Sequence, residues 1–193
     1  MIRVKYSRRV NDTMTIQHYE NLLVERDDVL FLHGACHVFA LALRERFSYS
    51  LRMVRDTTAM LPNGATHVFC HFDASRGVDV LGLFNVAQRL RDEGWLPLRY
   101  EIVAVTDSDL AAYYTGVPGG GLYLEPSFVA KVKGRAVALI DQFGDHYCGQ
   151  NPHPVPGLHR LHQGDWRAIF DWASAVRPTI LEADDTSEFV PTF

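Results

Sequence analysis

The stretch His33-Gly34-Ala35-Cys36-His37-Val38-Phe39-Ala40-Leu41-Ala42-Leu43 sets one cysteine just after a glycine and directly ahead of an amphipathic helical run. Phe39, Ala40, Leu43 and Phe47 recur at the helical period, so the spacing predicts a central, buried helix over about 36–47 with Cys36 at its start. Backbone N–H groups at a helix start carry partial positive charge. They stabilise an anion there and draw a cysteine pKa down from about 8.5 toward neutrality. A thiol in that position can become a nucleophile.

A cysteine nucleophile needs a base to take its proton, and the base needs a third group to fix its tautomer and steady its charged form. Downstream, Thr66-His67-Val68-Phe69 supplies a histidine and Val78-Asp79-Val80 a carboxylate. His67 to Phe72 and Val78 to Leu81 read as the strands of a hairpin around Asp73-Ala74-Ser75-Arg76-Gly77, with Gly82 closing the second strand. Histidine and aspartate on adjacent strands can face one another. Register counting from a turn centred near Ser75 puts Asp79 closer to His71 than to His67, while a bulge or a wider loop restores His67. Both histidines are candidates for the base.

These residues resemble the transglutaminase-like and wider papain-like thiol enzymes, whose core is a Cys-bearing helix followed by strands bearing His and Asp. Gly34-Ala35-Cys36-His37-Val38-Phe39-Ala40-Leu41-Ala42-Leu43 is similar to the family's Gly-x-Cys-x-x-Phe-Ala-x-x-Leu helix. His67-Val68-Phe69 with Gly77-Val78-Asp79-Val80-Leu81-Gly82 is similar to its His-strand, turn and Asp-strand segment. The likeness spans about residues 33–83, and it lacks the family's frequent Trp after His and its Asp-Pro after the acid. It implies an α+β fold with N-terminal helices packed on a mainly antiparallel sheet. It also implies Cys36 as nucleophile, His67 as base, Asp79 as orienting acid and the Cys36 N–H as an oxyanion donor. The activity so implied is acyl transfer on an amide, as an amidase, deamidase, peptidase or transglutaminase-like enzyme.

Composition bounds the rest. With 193 residues and 47% apolar composition the chain fits one α+β domain, with a catalytic core over about 13–105, a C-terminal hairpin and helix over 122–177 and an acidic tail over 182–193. A formal net charge of −4 gives no global field for nucleic acid or an anionic membrane. No apolar run approaches a bilayer span and no signal-peptide core is present, so the expectation is a soluble, unprocessed, cytoplasmic chain, with delivery as an unprocessed effector left open. Cys36, Cys70 and Cys148 are too few for a disulfide framework, and no CxxC or HExxH spacing occurs, so neither metal nor cofactor is expected. The expected partner is a protein, peptide or small amide substrate.

Two other readings stand beside the thiol enzyme. One is a binding or structural protein that keeps the fold without the activity. The other is a metal-dependent hydrolase that draws ligands from His33, Cys36, His37, His67 and His71. Elsewhere, residues 1–9 read as an edge strand, 13–24 as a helix ended by the charged break Glu25–Asp28, and Val29–Leu32 as an apolar lead-in. Leu51–Arg55 reads as a strand, Asn85–Glu93 as a helix, Leu98–Val105 as a strand and Ser108–Tyr114 as a helix. Gly116–Gly121 reads as a loop lacking the Lys-Ser/Thr of a phosphate-binding loop. Ser127–Val132 and Ala136–Asp141 read as a second hairpin turning at Lys133-Gly134-Arg135. A surface loop over 144–164, in which His146 can line a cleft, leads to a helix over 166–176 capped by Asp165. Cys70 alternates to the strand face opposite His67, and Cys148 falls in a loop.

Overall fold

Asp27 and Asp28 open the first helix among the described residues of the computed structural model, α1 (Asp27–His33), and their charges suit the positive end of its dipole. Residues 26–58, 65–93, 99–116 and 126–159 are described. The strand at 1–9, the helices at 13–24 and 166–176, the 61–64 turn, most of the 116–121 loop and the acidic tail lie outside them. The acidic pair that reads as a break therefore starts a helix, and Val29, Leu30, Phe31 and Leu32 are its buried body rather than a lead-in. Asp28 is fully buried and accepts from the N–H groups of Val29 at 2.9 Å and His159 at 2.8 Å, which ties the end of the described chain to the start of α1.

Gly34 and Ala35 turn the chain, both N–H groups returning to the Leu30 carbonyl, and α2 (Cys36–Phe47) begins at once. Five strands follow as β1 (Ser50–Asp56), β2 (Ala65–His71), β3 (Arg76–Asp79), β4 (Gly82–Asn85) and β5 (Tyr100–Ala104), with α3 (Val86–Asp92) between the last two. They form one antiparallel sheet in the order β4-β3-β2-β1-β5. Helix α2 lies on the face that carries Val68 and Cys70, where the Cys70 Sγ–H donates to the Ala40 carbonyl at 3.1 Å. Phe31, Phe39, Leu43, Leu51, Val68 and Val78 are among the fully buried side chains. Burying each such side chain contributes about 1.5–3 kcal/mol before entropy is charged against it. The class is α+β.

Three expectations are corrected here. Gly82 does not close a hairpin strand but begins β4, since its φ of +98° allows the sharp return from β3 through Val80 and Leu81 that a side chain would strain. The hairpin expected at 127–141 is a single helix, α5 (Pro126–Gln142), with α4 (Asp107–Gly116) before it in sequence. Val132, Ala136, Leu139 and Ile140 are buried at helical spacing, and the Lys-Gly-Arg taken for a turn faces outward, Lys133 pairing with Glu45 of α2 and Arg135 with Asp27 of α1. The stretch after 144 is not all surface loop: α6 (Gly144–Tyr147) and Val155 are packed in, with Tyr147 fully buried. Tyr147 Oη–H donates to the Val80 carbonyl at 3.0 Å and Val155 N–H to the Leu81 carbonyl at 3.1 Å, so this segment braces the β3–β4 turn.

Candidate active site

Cys36 is the first residue of α2, where the helix has no side-chain cap and its leading N–H groups have no acceptor within the helix. It is half-buried. The thiol makes hydrogen bonds with His37, its neighbour in the helix, and with His67 of β2. Burial pushes the thiol pKa up, but these two hydrogen bonds and the charge of His67 outweigh it and bring the pKa down to about 5.

His67 reaches this point because β2 outruns its neighbour. The β2–β3 ladder pairs His71 with Gly77 and Cys70 with Val78, and β3 ends one residue on at Asp79, whereas β2 continues to Ala65. Beside His67 the β3 edge is therefore missing, and the start of α2 meets β2 there. The same register sets Asp79 across from Phe69, midway between His67 and His71. The hydrogen bond goes to His67, whose Nε2 lies 3.2 Å from Asp79 Oδ2. His71 instead pairs with Ser50 and Gly77 toward the other end of the strand, so the register count that favours it is overturned.

With Nε2 engaged by Asp79, Nδ1 is the ring nitrogen left to serve the Cys36 thiol. His67 and Asp79 are each only 4% or less exposed. Burial lowers the His67 pKa, yet the hydrogen bonds to Asp79 and Cys36 prevail and raise it to about 9. Burial would raise the Asp79 pKa, and it is overcome by the charge of Arg89 first and then by the bond to His67, so the carboxyl lies below its ordinary value. Asp79 Oδ1 also accepts from the Leu81 N–H at 3.0 Å.

Arg89 escapes a reading of the sequence as a site residue. It lies on α3, 8% exposed, with Nη1 3.2 Å from Asp79 Oδ2 and its guanidinium 4.5 Å from the centre of the Phe84 ring. A single signal was available: an arginine on the inward side of a short helix that directly follows the Asp-bearing strands. His37 enters the sequence reading only as a candidate metal ligand, not as a hydrogen-bond partner of the Cys36 thiol.

Cys70 is buried with its pKa pushed up to about 12 by that burial, and it points to α2 rather than to the site. Cys148 is half-buried and its thiol faces the Asp145 carbonyl at 3.7 Å. His146 lines a cleft of about 440 Å³ together with Arg46, Asp141 and Asn151, a space that shares no residue with Cys36, His67 and Asp79. Its Nδ1 meets the His153 carbonyl at 2.8 Å and its Nε2 the Asn151 amide at 3.1 Å. Among the described residues no group of three or more His, Cys, Asp or Glu is placed to hold a metal ion; the His33 side chain lies outside them. No helix is long and apolar enough to cross a membrane, again among the described residues.

The arrangement sets a thiol of lowered pKa beside an imidazole of raised pKa, the imidazole backed by a buried carboxylate and the carboxylate by a buried guanidinium. Such a set can attack an electrophilic carbon and return a proton to what leaves. No protein-family profile, curated protein or solved structure matches this chain.

Proposed function

We propose that this chain is a cysteine-dependent acyl-transfer enzyme acting on an amide, with a papain-like or transglutaminase-like arrangement of its core. The Cys36 thiolate attacks the amide carbonyl, and the Cys36 N–H at the helix start donates to the developing oxyanion. His67 gives its proton to the departing amine, so the C–N bond breaks as the thioester forms. Water, or an acceptor amine, then attacks the thioester while His67 takes the incoming proton, and the thiolate is released. Asp79 keeps Nε2 as the donor nitrogen of His67 and steadies the imidazolium.

The observation that carries this reading is the continuous contact from Cys36 through His67 to Asp79, with the ring bonded to Asp79 through Nε2 at 3.2 Å. Neither a buried structural cysteine nor a metal ligand requires that alignment. The substrate is an amide of a small molecule or of a protein side chain, glutamine included, or a peptide bond.

The test is the rate of iodoacetamide labelling of the purified chain against pH, with the modified cysteine located by mass spectrometry, beside Cys36→Ala and His67→Ala. A chromogenic acetyl ester serves as a general acyl donor, and acetylation of Cys36 is sought in the same spectra. Labelling at Cys36 well below pH 8, with acetyl-Cys36 formed and turned over, supports the enzyme. Labelling confined to Cys148, with no acetyl-Cys36, overturns it in favour of a binding protein.

A further inference from the structure

Arg89 stands outside the three residues to which the chemistry is assigned, and its surroundings are unusual for an arginine. Few arginines are 8% exposed, and those that are need a partner because an unpaired buried charge is costly. Its partner is the triad carboxylate. Asp79 Oδ2 lies 3.2 Å from Arg89 Nη1 and also 3.2 Å from His67 Nε2, so cation and imidazole share one oxygen while Oδ1 is held by the Leu81 N–H.

The guanidinium is placed rather than merely present. Asn85 caps α3, its Oδ1 accepting from the Gln88 N–H at 2.9 Å, and this fixes the turn from which Arg89 projects. The Phe84 ring lies beneath the guanidinium at 4.5 Å and is itself held edge-on against Phe69 at 5.3 Å. Gly77 makes room for both rings, since a Cβ there would come within 2.6 Å of Phe69 and 2.7 Å of Phe84.

We propose that Arg89 is a positioning residue of the Cys36–His67–Asp79 site, holding Asp79 charged while limiting how tightly that carboxylate keeps a proton on His67. The inference rests on the acyl-transfer reading. A lone buried carboxylate beside an imidazole would hold the proton too firmly for the leaving amine to receive it. A cation on the same oxygen weakens that hold and at the same time keeps the carboxyl ionised. Among the described residues, the other charged and titratable groups around the pair are Glu93 on α3, 4.0 Å from Arg89 Nη1, Cys36 on α2 with His37 beside it, and Tyr147 on α6, which feels the Asp79 charge. Glu93 offsets part of the cation, so its removal should act in the opposite direction to loss of Arg89.

The experiment follows the His67 ring resonances by NMR and Cys36 labelling by iodoacetamide, both against pH, in the native chain and in Arg89→Met, Arg89→Lys and Glu93→Gln. In Arg89→Met the His67 midpoint should rise by about one pH unit, with the thiolate midpoint moving up as well. Arg89→Lys, which keeps the charge, should stay near the native midpoints, and Glu93→Gln should lower that of His67. A residue that only packs would reduce thermal stability without moving either midpoint. An activated Cys36 in the native chain with unmoved midpoints in Arg89→Met overturns the inference and leaves the acyl-transfer reading intact. If Arg89→Met does not fold, an unmoved or raised His67 midpoint in Glu93→Gln overturns it in the same way. A native Cys36 that labels like a free thiol overturns the acyl-transfer reading itself, and the role of Arg89 with it.

Discussion

Asp79 and His67 meet on the diagonal of the sheet, 3.2 Å apart between Oδ2 and Nε2, although the strand register sets Asp79 across from Phe69. A diagonal partner is as reachable as a direct one for a ring that can lean along its strand. It leaves Phe69 beneath the imidazole, the two rings 6.2 Å apart between centres and nearly parallel. The pair therefore has a hydrophobic floor, and its ionisation is set by its partners more than by water.

The pH dependence of turnover follows in sign from the two histidine-thiol ionisations. As pH falls through about 5 the Cys36 thiolate is protonated, and as pH rises through about 9 His67 loses the proton that the leaving group needs. Turnover of an amide should be a bell with its plateau between those values. Initial rates over pH 4–10 check it, and a rate still climbing above pH 8 would mean an ordinary thiol.

Histidine variants separate the two strand positions. His67→Ala should move Cys36 labelling to higher pH, the His37 bond remaining, and lower acyl transfer roughly a thousandfold or more. His71→Ala should leave both within about twofold of native. Equal losses would place the base at neither residue alone.

Asp79→Asn keeps the shape of the site and removes its charge. Arg89 is then a buried cation left with Glu93, 4.0 Å away, as its counter-charge, at a cost of up to roughly 3–5 kcal/mol. Turnover should drop by orders of magnitude through the loss of His67 orientation. Thermal denaturation gives the first quantity and acyl transfer the second; a variant as stable as native would show that Arg89 had found another partner.

Two glycines should respond to alanine in opposite ways. Gly134 lies on the exposed side of α5 with nothing within 4 Å of where a Cβ would stand, so Gly134→Ala should stabilise by up to about 1 kcal/mol. Gly77→Ala forces a methyl group against Phe69 and Phe84 and should cost about 1–3 kcal/mol, with loss of activity as Phe84 shifts under Arg89. Urea denaturation of both variants measures the difference.

The part of the site carried by local spacing was legible in the sequence. Cys36 precedes a helix-period run, and His67 and Asp79 flank a Gly-containing turn, so their elements could be read within a few residues. Which histidine faces Asp79 depends on a register two residues from the one counted, and on β3 ending where β2 does not; neither is written in residue types. Arg89 and Asp79 are joined only when α3 folds back over the hairpin. The misread helix α5 has a different cause: Val129, Val132 and Val137 with Lys133-Gly134-Arg135 imitate two strands and a turn, while the deciding pattern, Val132, Ala136, Leu139 and Ile140, becomes visible only over a longer window. Asp27 and Asp28 misled by their charge, which marks the start of α1 as readily as a break.

The brace on the β3–β4 turn orders events in time. Cys36, His67 and Asp79 all precede the segment that supplies Tyr147 and Val155, whose hydrogen bonds reach Val80 and Leu81 at 3.0 and 3.1 Å. A chain growing from the ribosome thus carries Cys36, His67 and Asp79 before it carries the props of the turn beside the aspartate. Until that segment docks, the turn after Asp79 lacks both hydrogen bonds, so the pairing of Asp79 with His67 is completed from the far end of the described chain.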